Sequence, residues 1–178
     1  DSQALTSGVG APISNWQDKS GNANNAVQAD VTKQPAVASG GIFLNNKKVA
    51  RFDGVNDFLE FNSLNNIRSA FFVYKFITDL SFAPPLLGDP SAFDFHGGET
   101  NLLLSTFASN NLKFGQGFVN KTSKAPTDIT KNFDYNLLSL VTINSVNAKY
   151  ITNDRNLGGR GLLNGDYAEV LLYSDTLN

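Results

Sequence analysis

Cysteine and methionine are both absent from this chain, which has one histidine, one tryptophan and three glutamates. Without cysteine there is no disulfide framework, no thiolate metal site and no cysteine nucleophile. A lone His96 excludes a multi-histidine metal centre. Charged residues make up 17% of the chain, against about 25% in ordinary domains. The net charge is -2, and no Lys/Arg cluster is dense enough to neutralise a phosphate backbone, so nucleic acid is not an expected partner. No apolar run approaches the roughly 18 residues of a membrane span, so membrane insertion is not expected. Glycoside hydrolysis needs two opposed carboxylates, and Glu60, Glu99 and Glu169 stand on no strand of alternating acids. A Gly-x-Ser-x-Gly elbow is also missing. The chain reads as a non-enzyme. It opens at Asp1 without a start methionine or signal peptide, so residues 1–178 are expected to be one domain, a module of a longer or processed protein.

What is present points to strands. Fourteen phenylalanines, fifteen glycines and abundant asparagine suit aromatic strands joined by tight turns. The strongest segment is 70–77 (AFFVYKFI), with Phe72, Tyr74 and Phe76 on one face and Phe71, Val73 and Lys75 on the other. Apolar residues on both faces predict a central strand. Residues 49–52 and 58–62 flank a turn at Asp53-Gly54. Further strands are expected at 102–107 and 112–114 with Phe118, joined through Asn110-Asn111. Residues 137–143 and 148–152 read as a pair about 144–147, and 167–173 as the last strand. No helical stripe lasts three turns; 63–70 has room for one turn of helix. The fold class is therefore all-β, a sandwich or barrel.

Two motifs go further. Arg51-Phe52-Asp53-Gly54 is followed by Asn56-Asp57-Phe58-Leu59, and Trp16-Gln17-Asp18-Lys19-Ser20-Gly21-Asn22 lies upstream, then Pro35-Ala36-Val37. Near the C-terminus come Gly165, Ala168-Glu169-Val170, Tyr173 and Leu177. Together these resemble the laminin-G-like domains of the concanavalin A-like lectin/glucanase superfamily. The resemblance covers both ends and leaves 86–136 unplaced. It implies a jelly-roll β-sandwich of two antiparallel sheets with the first and last strands close together. The strand of alternating Glu and Asp used by the glucanase branch is absent, and so is the Tyr, His and Arg set of sandwich-fold lyases.

Each candidate site has a plainer alternative. Trp16 offers a broad face to a sugar ring, or it anchors the N-terminal segment. Asp53, Asn56 and Asp57 are oxygen donors for Ca²⁺, the one cofactor considered, yet calcium takes six to eight oxygens and the same residues favour Asx turns. Asp18 with Asn22 and Asn24 is a parallel case. Asp94, His96 and Glu99 form a polar loop of acid/base character, or a histidine that simply ties its loop. Asn110, Asn111, Asn153, Asp154 and Arg155 are loop residues whose amides and charges suit vicinal hydroxyls. The expected function is a non-catalytic binding or adhesion module with a carbohydrate ligand, at a cell surface, a virion surface or otherwise outside the cell. The alternative is a structural decoration or assembly domain of a virion or other surface particle, contacting surface proteins and oligomeric in place. A polysaccharide hydrolase or lyase ranks behind both.

Overall fold

The computed structural model describes residues 5–78, 84–98, 101–153 and 163–177. Its strands are β1 (Asn15–Trp16), β2 (Ala26–Val27), β3 (Ala36–Ser39), β4 (Lys48–Asp53), β5 (Leu59–Phe76), β6 (Leu87–Gly88), β7 (Gln116–Val119), β8 (Thr122–Lys124), β9 (Asn136–Ile151) and β10 (Asn164–Tyr173). They pair antiparallel in the order β3-β4-β10-β5-β9-β7-β8, with β1 on β2, β2 on β5 and β6 on β9. The architecture is all-β and sandwich-like, and the strands are linked as one sheet that does not close.

Two long strands carry the fold. The second half of β5, 69–76, pairs with β10 on one side and with the first half of β9 on the other. The first half of β5 pairs with the second half of β9. Between the halves, residues accumulate first on β5 up to Ile67 and then on β9 beyond Val146, and the two excesses cancel. Such bulges bend a strand and increase its twist, so the sheet turns a corner here. The corner's backbone is satisfied locally: Thr142 Oγ1 donates to the Arg68 carbonyl at 3.2 Å, and Arg68 Nη2 donates to the Thr142 and Ile143 carbonyls at 3.3 Å.

One hydrophobic cluster runs along the inner face of both halves, from Trp16 and Phe61 to Phe72, Tyr74, Leu138 and Tyr167. Period-2 alternation explains it: Ala70, Phe72, Tyr74 and Phe76 are buried, while Phe71, Val73 and Lys75 are half-buried on the opposite face. Phe52 meets Tyr167 edge-on at 5.7 Å, joining β4 to β10. Burial raises the Tyr74 and Tyr167 phenols well above their ordinary range, and Tyr167 resolves its hydroxyl by donating to the Leu86 carbonyl at 3.1 Å.

Several sequence expectations change. Residues 63–70 make no helical turn; they continue β5 through its bulged corner. Residues 137–143 and 148–152 are not a hairpin but one strand, β9, with Asn144–Asn147 inside it. Asn110–Lys113 is a single α-helical turn, α1, instead of a strand junction, and Leu102 and Leu104 form isolated bridges only. Asparagine fits αL turns, helix starts and bulged strands alike, and only the tertiary partner decides among them. The last strand, expected at 167–173, is β10 (Asn164–Tyr173), and it lies between β4 and β5.

Candidate functional site

A cleft of about 680 Å³ lies between the Trp16–Ala26 segment, the first half of β5 and the C-terminal half of β10. β10 carries a bulge at Ala168 beside it. Through Tyr167, β10 pairs with β4; past the shift between Tyr167 and Glu169, that edge forms no further ladder among the described residues. The inner side of β10 there, Val170 and Leu172, stands over Trp16, Phe61, Leu64 and Ile67 as an apolar floor. The rim is polar: Ser20, Asn22, Asn24, Asn66, Glu169 and Ser174. Tyr173 forms part of the wall, its ring set edge-on to Phe71 at 5.9 Å.

The rim loop is built around Asp18. Its Oδ1 accepts from Ser20 N at 2.8 Å, and its Oδ2 accepts from Ser20 Oγ at 2.8 Å and Asn24 N at 2.9 Å. Asn25 Oδ1 in turn accepts from Asp18 N at 2.9 Å. Burial pushes the Asp18 carboxyl upward, but the hydrogen bonds from Ser20 and Asn24 outweigh it and hold the group below the usual carboxylate range. The loop closes through positive φ at Gly21 and Ala23 (88° and 56°). The carboxylate thus serves as a staple that aims the asparagines. One of them is left unsatisfied: Asn24 Oδ1 is buried with no hydrogen-bond partner. An acceptor in that state favours a ligand that brings a donor.

A second polar cluster lies on the outer face of the sheet. Asp166, whose side chain is 0% exposed, accepts from Arg51 Nε at 2.7 Å and Arg51 Nη2 at 2.9 Å, and from the Tyr135 hydroxyl at 2.7 Å. Lys75 Nζ stands 3.6 Å from the same carboxylate and 4.8 Å from the centre of the Tyr135 ring. Hydrogen bonding to Asp166 raises the Arg51 pKa, and burial, then the Asp166 bond, raises that of Tyr135. This clamp joins β4, β5, β10 and the segment entering β9. It is the role that the Arg-Phe-Asp-Gly arginine performs in this fold.

The other candidate residues are distributed as follows. Asp53 Oδ1 accepts from Val55 N at 2.8 Å and Asn56 N at 3.3 Å, and Asp57 Oδ2 accepts from Asp53 N at 3.0 Å. The trio shares one turn and organises its backbone. Burial pushes the Asp57 carboxyl up to about 6. Asp94 Oδ2 accepts from Asn147 N at 2.7 Å, and Asn111 Nδ2 donates to the Ser145 carbonyl at 3.2 Å. His96 is buried, with Nδ1 2.7 Å from Ser105 Oγ and 3.0 Å from the Gly97 carbonyl. Asp94, His96, Asn110 and Asn111 therefore gather on one patch beside the corner of β9, away from the cleft. Asn153 is buried at the far end of β9, next to Thr152, whose hydroxyl donates to the Asp57 carbonyl at 2.9 Å. Glu99, Asp154 and Arg155 lie outside the described residues. None of the described residues among these lines the cleft. Trp16 and Asn24 were visible in the sequence as motif residues. Tyr173 also stood in the C-terminal motif, whereas Asn66 carries no local signal, because the cleft joins it to Tyr173 across about a hundred residues. No family model, curated protein or solved structure matches the chain.

Proposed function

We propose that the chain is a non-catalytic carbohydrate-binding module of an extracellular, cell or virion surface, a jelly roll of the concanavalin A-like, laminin-G-like kind, and that its ligand occupies the Trp16 cleft. The observation that carries this reading is the lining: an apolar, aromatic floor under a rim of amides and hydroxyls, with the Asn24 acceptor unsatisfied. Sugars present apolar ring faces and hydroxyl donors, and such a lining complements both. Ligand hydroxyls would pair with Asn24 and Asn66, and the apolar face of a ring would lie along Leu64 and Val170. Calcium has no assigned part in this cleft, because both Asp18 oxygens already accept from the loop itself.

A glycan-binding screen with and without a calcium chelator tests the reading. The expected result is chelator-independent binding that Asn24→Ala and Asn66→Ala each weaken by roughly tenfold, the loss of one ligand hydrogen bond. Silence across the screen would remove the proposal. The assembly alternative draws on a different observation: Leu137, Leu171 and Tyr173 are exposed large apolar residues on the outer face of the central strands. Self-association in solution that Leu137→Asn weakens would favour it.

A further inference from the structure

The β3–β4 hairpin holds out the two most exposed large apolar side chains among the described residues, Ile42 at 79% and Phe43 at 82%. The other large apolar residues more than 60% exposed are isolated in sequence, whereas these two are adjacent. Scattered single exposures need no explanation; a paired apolar tip does.

The tip is built, not slack. Gly40 N donates to the Lys47 carbonyl at 2.8 Å and Asn46 N to the Gly41 carbonyl at 2.8 Å, while Asn45 N donates to the Ile42 carbonyl at 3.1 Å. Gly41 N adds a bond to Ser39 Oγ at 3.2 Å. Gly41, Asn45 and Asn46 hold positive φ (69°, 48° and 55°), a conformation that asparagine tolerates better than most residues. Leu44 turns inward onto Ala38, Val49 and Ala168. Gly40 makes that fold-back possible, since a Cβ there would lie 2.8 Å from Leu44 Cδ1. One apolar residue therefore anchors the loop and two are presented.

The charge next to the tip is basic. Lys33 pairs with Asp30 and Arg51 with Asp166, whereas the adjacent Lys47 and Lys48 have no ion pair with an acid among the described residues. Lys47 and Lys48 stand at the base of the tip, and Lys48 Nζ donates to the Thr6 carbonyl at 3.0 Å. We infer that this hairpin docks the protein shallowly on a bilayer surface with anionic headgroups: Ile42 and Phe43 enter the interfacial layer, and the two lysines meet the phosphates. Interfacial binding grows with buried apolar area and with attraction to anionic lipid. A protein pocket would satisfy the apolar pair alone; the Lys47-Lys48 pair at its base is what selects an anionic lipid surface. Docking of this kind needs no spanning segment, and no helix among the described residues is long and apolar enough to cross a membrane. The inference is independent of the glycan reading.

The test is co-sedimentation of the full chain with phosphatidylcholine vesicles, with and without phosphatidylserine, at low and high salt. The native chain is expected to sediment with the anionic vesicles and to be released by salt. Ile42→Asn with Phe43→Asn should weaken the apparent affinity by at least about tenfold, and Lys47→Glu by severalfold, with unfolding temperatures unchanged because these side chains are solvent-facing. A Phe43→Trp variant should show a blue shift in emission on binding, as a tryptophan entering the interface does. Absence of native binding to anionic vesicles, equal binding to neutral ones, or full retention of binding by the double asparagine variant would overturn the inference.

Discussion

Two carboxylates illustrate how environment assigns work to single residues. Asp166 is buried, yet two cations and a phenol satisfy it. Replacing it with alanine strands Arg51 and Lys75 beside Tyr135. Both cations are partly exposed and can rehydrate, so the loss is expected to be about 1.5–3 kcal/mol, the range of a hydrogen bond to a charged group, and not the larger cost of a fully buried orphan. Chemical denaturation of Asp166→Ala, Arg51→Ala and the double variant would measure it, with coupling expected between the two sites. Asp57 behaves in the opposite sense. Burial outweighs the Asp53 N–H bond, and the Asp53 charge adds to the rise, so its folded-state pKa is about 6 against 3.8 for an unperturbed aspartate. The folded state then binds the proton more tightly than the unfolded one. Stability contributed by this group is greatest below 3.8 and is lost as pH rises through about 6. Asp57→Asn, which keeps an oxygen acceptor for Asp53 N, is expected to be more stable than the native chain at neutral pH, with the difference vanishing toward acid. Thermal unfolding of both proteins across that window checks the sign.

At the scale of elements, the central observation is the bulged corner that lets β5 and β9 serve both halves of the sheet. Close approach matters beside it. A Cβ on Gly165 would run into the Lys75 carbonyl of β5 and the side chain of Leu163. Gly165→Ala is therefore expected to cost about 1–3 kcal/mol, the range of overpacking, measured by denaturant unfolding. Alternation made 70–77 legible in the sequence, and Phe72, Tyr74 and Phe76 do face the core. Residues 63–70 and 144–147 misled, since their amides suit a helical turn or a chain reversal while each stretch lies within a long strand. The Arg51–Asp166 clamp could not be read locally, because 115 residues separate its partners. The cleft was half legible: Trp16 stood in a motif, but the bulge at Ala168 beside the space has no signature short of the strand pairing itself.

For the whole molecule, fold and site follow from one arrangement. A single inner cluster holds the sheet together, the outer clamp fixes β4, β5 and β10, and the end of β10 that leaves β4 forms one wall of a cleft. The proposed binding thus falls at an edge where backbone pairing stops among the described residues, while the patch around Asp94, His96 and Asn111 is occupied by contacts of its own loops and of β9. The most direct measurement is an NMR titration of the labelled chain with the oligosaccharide that binds best in the glycan screen. Shift changes centred on the Trp16 indole, the Asn24 and Asn66 side-chain amides and Tyr173 are the expected result. Changes centred on Asp94, His96, Asn110 and Asn111, or no saturable change with any oligosaccharide, would contradict the assignment of the cleft.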